Sequence, residues 1–214
     1  MTEAGRGRDK GTGASRYLLI GVLCLFGAAV LDGLSHREEK ILLASAQMRD
    51  GIFIQTVIII GGNWLTGWKG VVINKLLNEA ENKSLPDYIR ALNREVGFGG
   101  PAGFPDKYYV LERLEDSLTG KSSHRLQEWE AAVRARPDLP ELISKDTVAP
   151  HRYRIFAGFS GWAPFQLENE FSIAKSWEGM APEPDIVWKP GPDTTWEAIR
   201  HKQQELLKRP MRTL

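Results

Sequence analysis

One cysteine in 214 residues, Cys24, excludes an intrachain disulfide and any multi-cysteine metal site. Charge of one sign is missing too: 28 Lys and Arg stand against 27 Asp and Glu, a formal net charge of +1. No basic field advertises nucleic acid, so nucleic acid is not expected as a partner, and no acidic excess points to a cationic one. The histidines His36, His124, His151 and His201 are widely separated, and none pairs with another at helical spacing. Three of them sit in charged surroundings, so no metal site is expected. A complete phosphate-loop motif is absent, no cofactor is expected, and no internal repeat is visible.

Long hydrophobic runs are scarce as well. The one uncharged run of note is YLLIGVLCLFGAAVL, residues 17–31, extended weakly to Leu34. A helical span of a bilayer wants about 20 apolar residues, and a secretory signal core has roughly 7 to 15. Both readings place the chain at a membrane. Arg6, Arg8, Lys10 and Arg16 precede the run, whereas Arg37 and Lys40 after it are mixed with Glu38 and Glu39, so the positive-inside rule predicts a cytoplasmic amino terminus. The expectation is a disordered, glycine-rich tail over 1–16, an anchor over 17–34 and a single-pass membrane protein. Export after signal cleavage is the alternative. It is weakened by the poor small-x-small pattern at Gly27 and Ala29 and by Leu23 before Cys24. A buried core helix, or a start codon placed too early, would also explain the segment.

Past residue 38 there is enough apolar sequence for one ordinary core, and a single domain is expected over 38–207. Strand-like runs occur at 41–45, 56–60, 70–73, 107–111, 153–157 and 185–188. Helical stripes lie between them. One opens at Ser84 or Pro86 with Leu85, Ile89, Leu92 and Val96. Another starts at Ser122 or Ser123, puts Leu126, Trp129 and Val133 on one side and stops at Pro137. A third begins at Pro164 with Leu167, Phe171 and Ala174. The last carries a capping-box spacing at Thr194 and Glu197 and a stripe of Trp196, Ile199, Gln203 and Leu206. Strands and helices intermix without regular alternation, which predicts an α+β fold rather than a doubly wound sheet.

Several segments in order carry a family resemblance: ILLASAQMRDGIFIQTVIIIGG (41–62), GWKGVVINKLL (67–77), VGFGGPAGFPDKYYVL (96–111), YRIFAGFSGWAPFQLENEF (153–171), and SWEGMAPEPDIVW with WEAI after it (176–199). With Phe98-Gly99-Gly100-Pro101, with Gly158-Phe159-Ser160-Gly161-Trp162 and with Gln166-Leu167-Glu168, the chain resembles the YqgE/AlgH family of bacterial proteins. The resemblance implies a compact α+β fold with a mixed, partly barrel-like sheet. It also implies a largely uncharacterised protein of a group described as candidate transcriptional regulators. The chain departs from the pattern at Gly61-Gly62, where relatives commonly carry Glu-His, and at Asn74-Lys75-Leu76, where they have Asn-Arg-Pro. Polar groups of a site are therefore expected to be missing. The helix around Trp129 reads as an insertion. Family members are usually cytosolic, so the apolar segment is a departure too.

Two glycine-rich stretches resemble enzyme motifs. Residues 158–162 approach the hydrolase elbow Gly-x-Ser-x-Gly, but the fifth position is Trp162. A triad of Ser160, Asp185 or Asp193, and His201 has the chain order of that fold, although family members often carry alanine in place of Ser160. Gly97, Gly99 and Ala102 match a loosened dinucleotide fingerprint, yet a helix-like run precedes them and a strand follows, the reverse of what that motif needs. Glu168 and Glu170 leave one helix at different angles and read as a solvated face.

The expectation is therefore a binding or structural signature rather than a catalytic set, made of Gly99, Gly100, Pro101, Gly158, Ser160, Gly161, Trp162, Gln166 and Glu168. Within it, Gly161 is expected to need a positive φ or to lie against neighbouring backbone. The protein would be a non-enzymatic binding or regulatory module held at the membrane, with a protein or a second copy of the chain as partner. A serine hydrolase using Ser160 and His201 is the alternative.

Overall fold

Branched aliphatic residues in unbroken runs can be buried on both faces of a sheet, and TVIII at 56–60 is such a run. The computed structural model describes residues 38–115, 122–147, 151–188 and 195–208. Its strands are β1 (Glu38–Ala44), β2 (Val57–Asn63), β3 (Gly67–Val72), β4 (Val96–Phe98), β5 (Tyr108–Glu115), β6 (Ser122–Glu128), β7 (Tyr153–Ala157), β8 (Ser160–Trp162) and β9 (Trp177–Met180). Its helices are α1 (Glu79–Lys83), α2 (Asp87–Arg90), α3 (Trp129–Ala135), α4 (Leu139–Lys145), α5 (Gln166–Ser172), α6 (Pro184–Trp188) and α7 (Trp196–Lys208).

The strands form two sheets, of order β8-β3-β2-β1-β9 and β4-β7-β5-β6. The first is antiparallel throughout; in the second, β4 runs parallel to β7. Strand β2 sits inside the first sheet, and its alternation serves two cores at once. Val57 and Ile59 join Ile41, Leu43, Val71 and Phe156 between the sheets. Ile58 and Ile60 face outward and pack with Trp68, Trp162, Leu167 and Trp177. On the outer side of the second sheet, Tyr153, Ile155 and Ala157 of β7 pack against Ile89, Trp129, Leu139 and Ile143 of the helices. The α+β expectation holds, as two open sheets rather than the partly barrel-like sheet: among the described residues neither sheet closes on itself.

Four local expectations change. The stripe expected from Leu85 to Val96 is not one helix, since α2 covers only Asp87–Arg90 and Val96 opens β4. Residues 122–128 form β6, not a helix, paired along its length with β5 from Glu115↔Ser122 to Tyr109↔Glu128. Leu126 therefore packs with the inter-sheet cluster while Trp129 belongs to the outer one, where a helix would have put them on one face. The run at 185–188 is helix α6, whose Ile186, Val187 and Trp188 are all buried; a four-residue apolar run does not tell strand from helix by itself. The helix expected at Pro164 starts at Gln166, after Phe165 takes a left-handed φ of 64°.

The membrane placement is corrected. Among the described residues no helix is long and apolar enough to cross a membrane. The tail at 1–16 and the segment at 17–34 on which that placement rested lie outside the described residues, as do Asp193 and Thr194.

Candidate binding site

The two glycine-rich stretches are halves of one seam. Strand β7 ends at Ala157, and through Gly158 and Phe159 the chain leaves the second sheet and enters the first as β8. Gly158 makes the turn with a φ of 70°, and its N–H donates to Lys107 O at 2.7 Å. The stretch 97–102 is strapped across it: Gly99 N donates to Ala157 O at 2.8 Å, Val72 N to Gly99 O at 2.9 Å, and Ala102 and Phe159 exchange N–H···O bonds at 3.0 and 2.9 Å. A Cβ on Gly100 would lie 2.5 Å from the Phe159 carbonyl, so only glycine lets these backbones approach. Pro101 is exposed beside them.

Ser160 is 1% exposed, and its hydroxyl donates to Gly99 O at 3.2 Å. His201 lies on α7 with its side chain 75% exposed, 3.8 Å from Glu205. The hydrolase pair is thus not assembled: the serine is bonded to backbone and the histidine faces solvent. Gly161 carries no positive φ, and an added Cβ would meet first the edge of the Phe159 ring, at 3.0 Å. The backbone demand expected there falls instead on Gly158 and Gly100.

The rest of the signature clamps α5 to the first sheet through tryptophans. Trp162 and Trp177 both donate indole N–H to Glu170 Oε2, at 2.9 and 2.7 Å, and Trp68 donates to Glu168 Oε1 at 2.9 Å. Gln166 accepts from Ala163 N at 3.0 Å and donates to Glu170 Oε1 at 2.9 Å. Glu168 and Glu170 are acceptors for indoles rather than a solvated face. The indole rings were legible in the sequence, but their donors had no visible acceptor until α5 was placed.

None of the nine signature residues lines the cavity that lies beside Arg154. That space, 870 Å³, opens at the far end of β7. Strand β7 alternates Tyr153, Ile155 and Ala157 toward the outer core with Arg154 and Phe156 toward the space between the sheets. A cation thus stands where the pattern calls for an apolar residue. The Arg154 guanidinium lies over the Phe156 ring at 5.1 Å, and its terminal nitrogens donate to Val187 O at 2.8 Å and Ile73 O at 2.7 Å. Among the described residues no carboxylate forms an ion pair with it. Burial pushes its pKa down to about 10, with Glu95 acting in the opposite direction, so it stays charged at neutral pH.

Lys75 adds a second cation to the wall. Its ammonium donates to Ile52 O at 2.8 Å, and burial holds its pKa below the usual lysine range. Asn74 steadies this side, accepting from Val57 N at 2.8 Å and donating to Gln55 O at 2.9 Å. Arg94 is paired with Asp146 at 3.8 Å, and Glu197 accepts from Gln55 Nε2 at 3.0 Å. Trp188 forms an aromatic wall, backed by the buried ring of His124 at 5.8 Å and 6°. His124 is fixed in turn by Glu39, 3.1 Å from Nδ1. Sequence reasoning missed this site and expected lost polarity at Asn74-Lys75-Leu76, where the structure places a lysine and an amide in the cavity wall. The available signal was Arg154, the one charge in the strand YRIFA. Among the described residues no cluster of His, Cys, Asp and Glu could hold a metal ion.

Comparison with known proteins gives a consistent result. A family model described as AlgH-like matches residues 41–207. A UPF0301 protein of Ruegeria pomeroyi is 31% identical over 165 residues, covering 74% of this chain and 87% of the relative. One from Shewanella frigidimarina is 24% identical over 174 residues, with coverage of 74% and 87%. The solution structure of the AlgH protein from Pseudomonas aeruginosa is similar at a TM-score of 0.53 and 20% identity, covering 82% of this chain and 95% of that one. The crystal structure of a Corynebacterium diphtheriae protein is similar at a TM-score of 0.55 and 22% identity, covering 81% and 87%. These two likenesses concern the fold.

Proposed function

The chain belongs to the AlgH-like family, and we propose that it works as a non-enzymatic binding module whose ligand occupies the cavity beside Arg154. A fold hosts functions but does not choose among them, so the reading rests on the site. The observation that carries it is Arg154 itself. A guanidinium with no ion-pair partner among the described residues is costly to keep in a cavity wall unless something else compensates its charge. The ring of Phe156 and two carbonyls hold it in place and leave it the donors a ligand needs.

A regulatory role is compatible with the same contacts. Arg154 grips α6 through Val187 O, so a ligand that draws on the guanidinium acts on the hold of that helix. The hydrolase reading has no comparable support, since Ser160 is buried on Gly99 O and His201 is engaged in solvent near Glu205. Amide chemical-shift mapping against a small-molecule fragment library tests the choice. Shifts gathering at Arg154, Lys75 and Trp188 are the expected result. Shifts gathering at Ser160 and Gly161, with the cavity silent, would overturn it.

A further inference from the structure

The chemistry of the cavity wall restricts what it can hold. Two cations, Arg154 and Lys75, face it with only backbone carbonyls as hydrogen-bond acceptors. Of the carboxylates nearby, Glu197 is engaged by Gln55, and Glu95 acts on Arg154 from beyond ion-pairing distance. Both carboxylates stand in the same wall, but among the described residues neither forms an ion pair with Arg154 or Lys75. The opposite character comes from rings and aliphatic groups. Trp188 is 2% exposed, stacked from behind, and its indole Nε1–H has no acceptor among the described residues. Tyr153 lies under the cavity, and Ile54 and Leu76 stand at it 44% and 58% exposed.

Resting on the reading of this cavity as a binding site, we infer that its ligand is a small amphiphilic oxyanion: a carboxylate, sulfonate or phosphate ester carried on a flat apolar body. Arg154 anchors the anion. Its two terminal nitrogens are already aimed by Ile73 O and Val187 O and its face is fixed on Phe156, so little side-chain freedom is lost when the remaining N–H groups meet an oxyanion. Lys75 adds a point charge from the neighbouring wall. Leu76 and Ile54 take the apolar body, with only the edge of Trp188 that reaches the cavity beside them. A cavity of 870 Å³ falls within the size range of sites for compact organic ligands, which is roughly 300 to 1,000 Å³.

The full chain can be titrated with two fluorescent probes of nearly the same shape, 1-anilinonaphthalene-8-sulfonate and the uncharged N-phenyl-1-naphthylamine. Both should bind at one saturable site. In Arg154→Met the ratio of sulfonate to neutral affinity should fall about tenfold or more, the loss expected for a charge-assisted bidentate contact. In Lys75→Gln, which leaves the Ile73 and Val187 carbonyls with their donor, it should fall about threefold. If Arg154→Met does not fold, Lys75→Gln still decides the question. A ratio unchanged in the folded variants, with both probes bound, overturns the anion and leaves the cavity as a site for neutral molecules. Saturable binding of neither probe overturns the cavity reading and the anion with it.

Discussion

Gly158 and Gly100 meet backbone to backbone at the seam between the sheets: a Cβ on Gly158 would fall 2.1 Å from Gly100 O. Gly158 also holds a φ of 70°, so a side chain there is both strained and obstructed. Gly158→Ala is expected to cost at least about 2 kcal/mol, a large part of the roughly 5 to 15 kcal/mol that stabilises a domain. Gly161→Ala should cost under about 1 kcal/mol, because the nearest obstacle is a ring edge that can turn. Urea melts of the two variants give the comparison, and equal midpoints would mean that the seam is not what constrains this corner.

Ser160→Ala removes one hydrogen bond, to Gly99 O, from a packed site. The loss should be about 1 kcal/mol, with the fold retained and no reaction of the wild-type serine with a fluorophosphonate probe. Mass-spectrometric detection of a phosphonylated Ser160 would restore the hydrolase reading.

Glu170→Ala leaves the indole N–H groups of Trp162 and Trp177 without their shared acceptor. Both rings are buried, so the cost should be about 2 kcal/mol, accompanied by a shift in tryptophan emission. Unchanged emission and an unchanged melt would show that α5 is held without Glu170, by Leu167 and the bond from Trp68 to Glu168.

Binding of the sulfonate probe should be level across neutral pH and weaken as pH rises through about 10, where the buried Arg154 gives up its proton. The sign follows from the species bound: the anion needs the protonated guanidinium, so affinity is full below the depressed pKa and is lost above it. Lys75, also lowered by burial, moves the effect in the same direction. The neutral probe supplies the control, and the same fall for both probes would assign the loss to the fold rather than to the site.

Local chemistry in the sequence was enough to place most strands, because unbroken branched runs such as Val57–Ile60 and the alternation of Tyr153–Ala157 satisfy a pleated backbone whatever they pack against. The family segments and the glycines of the corner were legible for a related reason: a left-handed turn has few residues to choose from. The sequence could not decide what depends on partners distant along the chain. Residues 122–128 became a strand because β5 offered an edge, whereas 185–188 joined neither sheet and formed α6. Glu170 became an acceptor only when Trp162 and Trp177 converged on it. Arg154 was visible as a charge in an apolar strand. That it faces a cavity, is aimed by Ile73 O and Val187 O and has Lys75 in the same wall follows from folding alone, since burial and electrostatic environment belong to the assembled surface and not to any one residue.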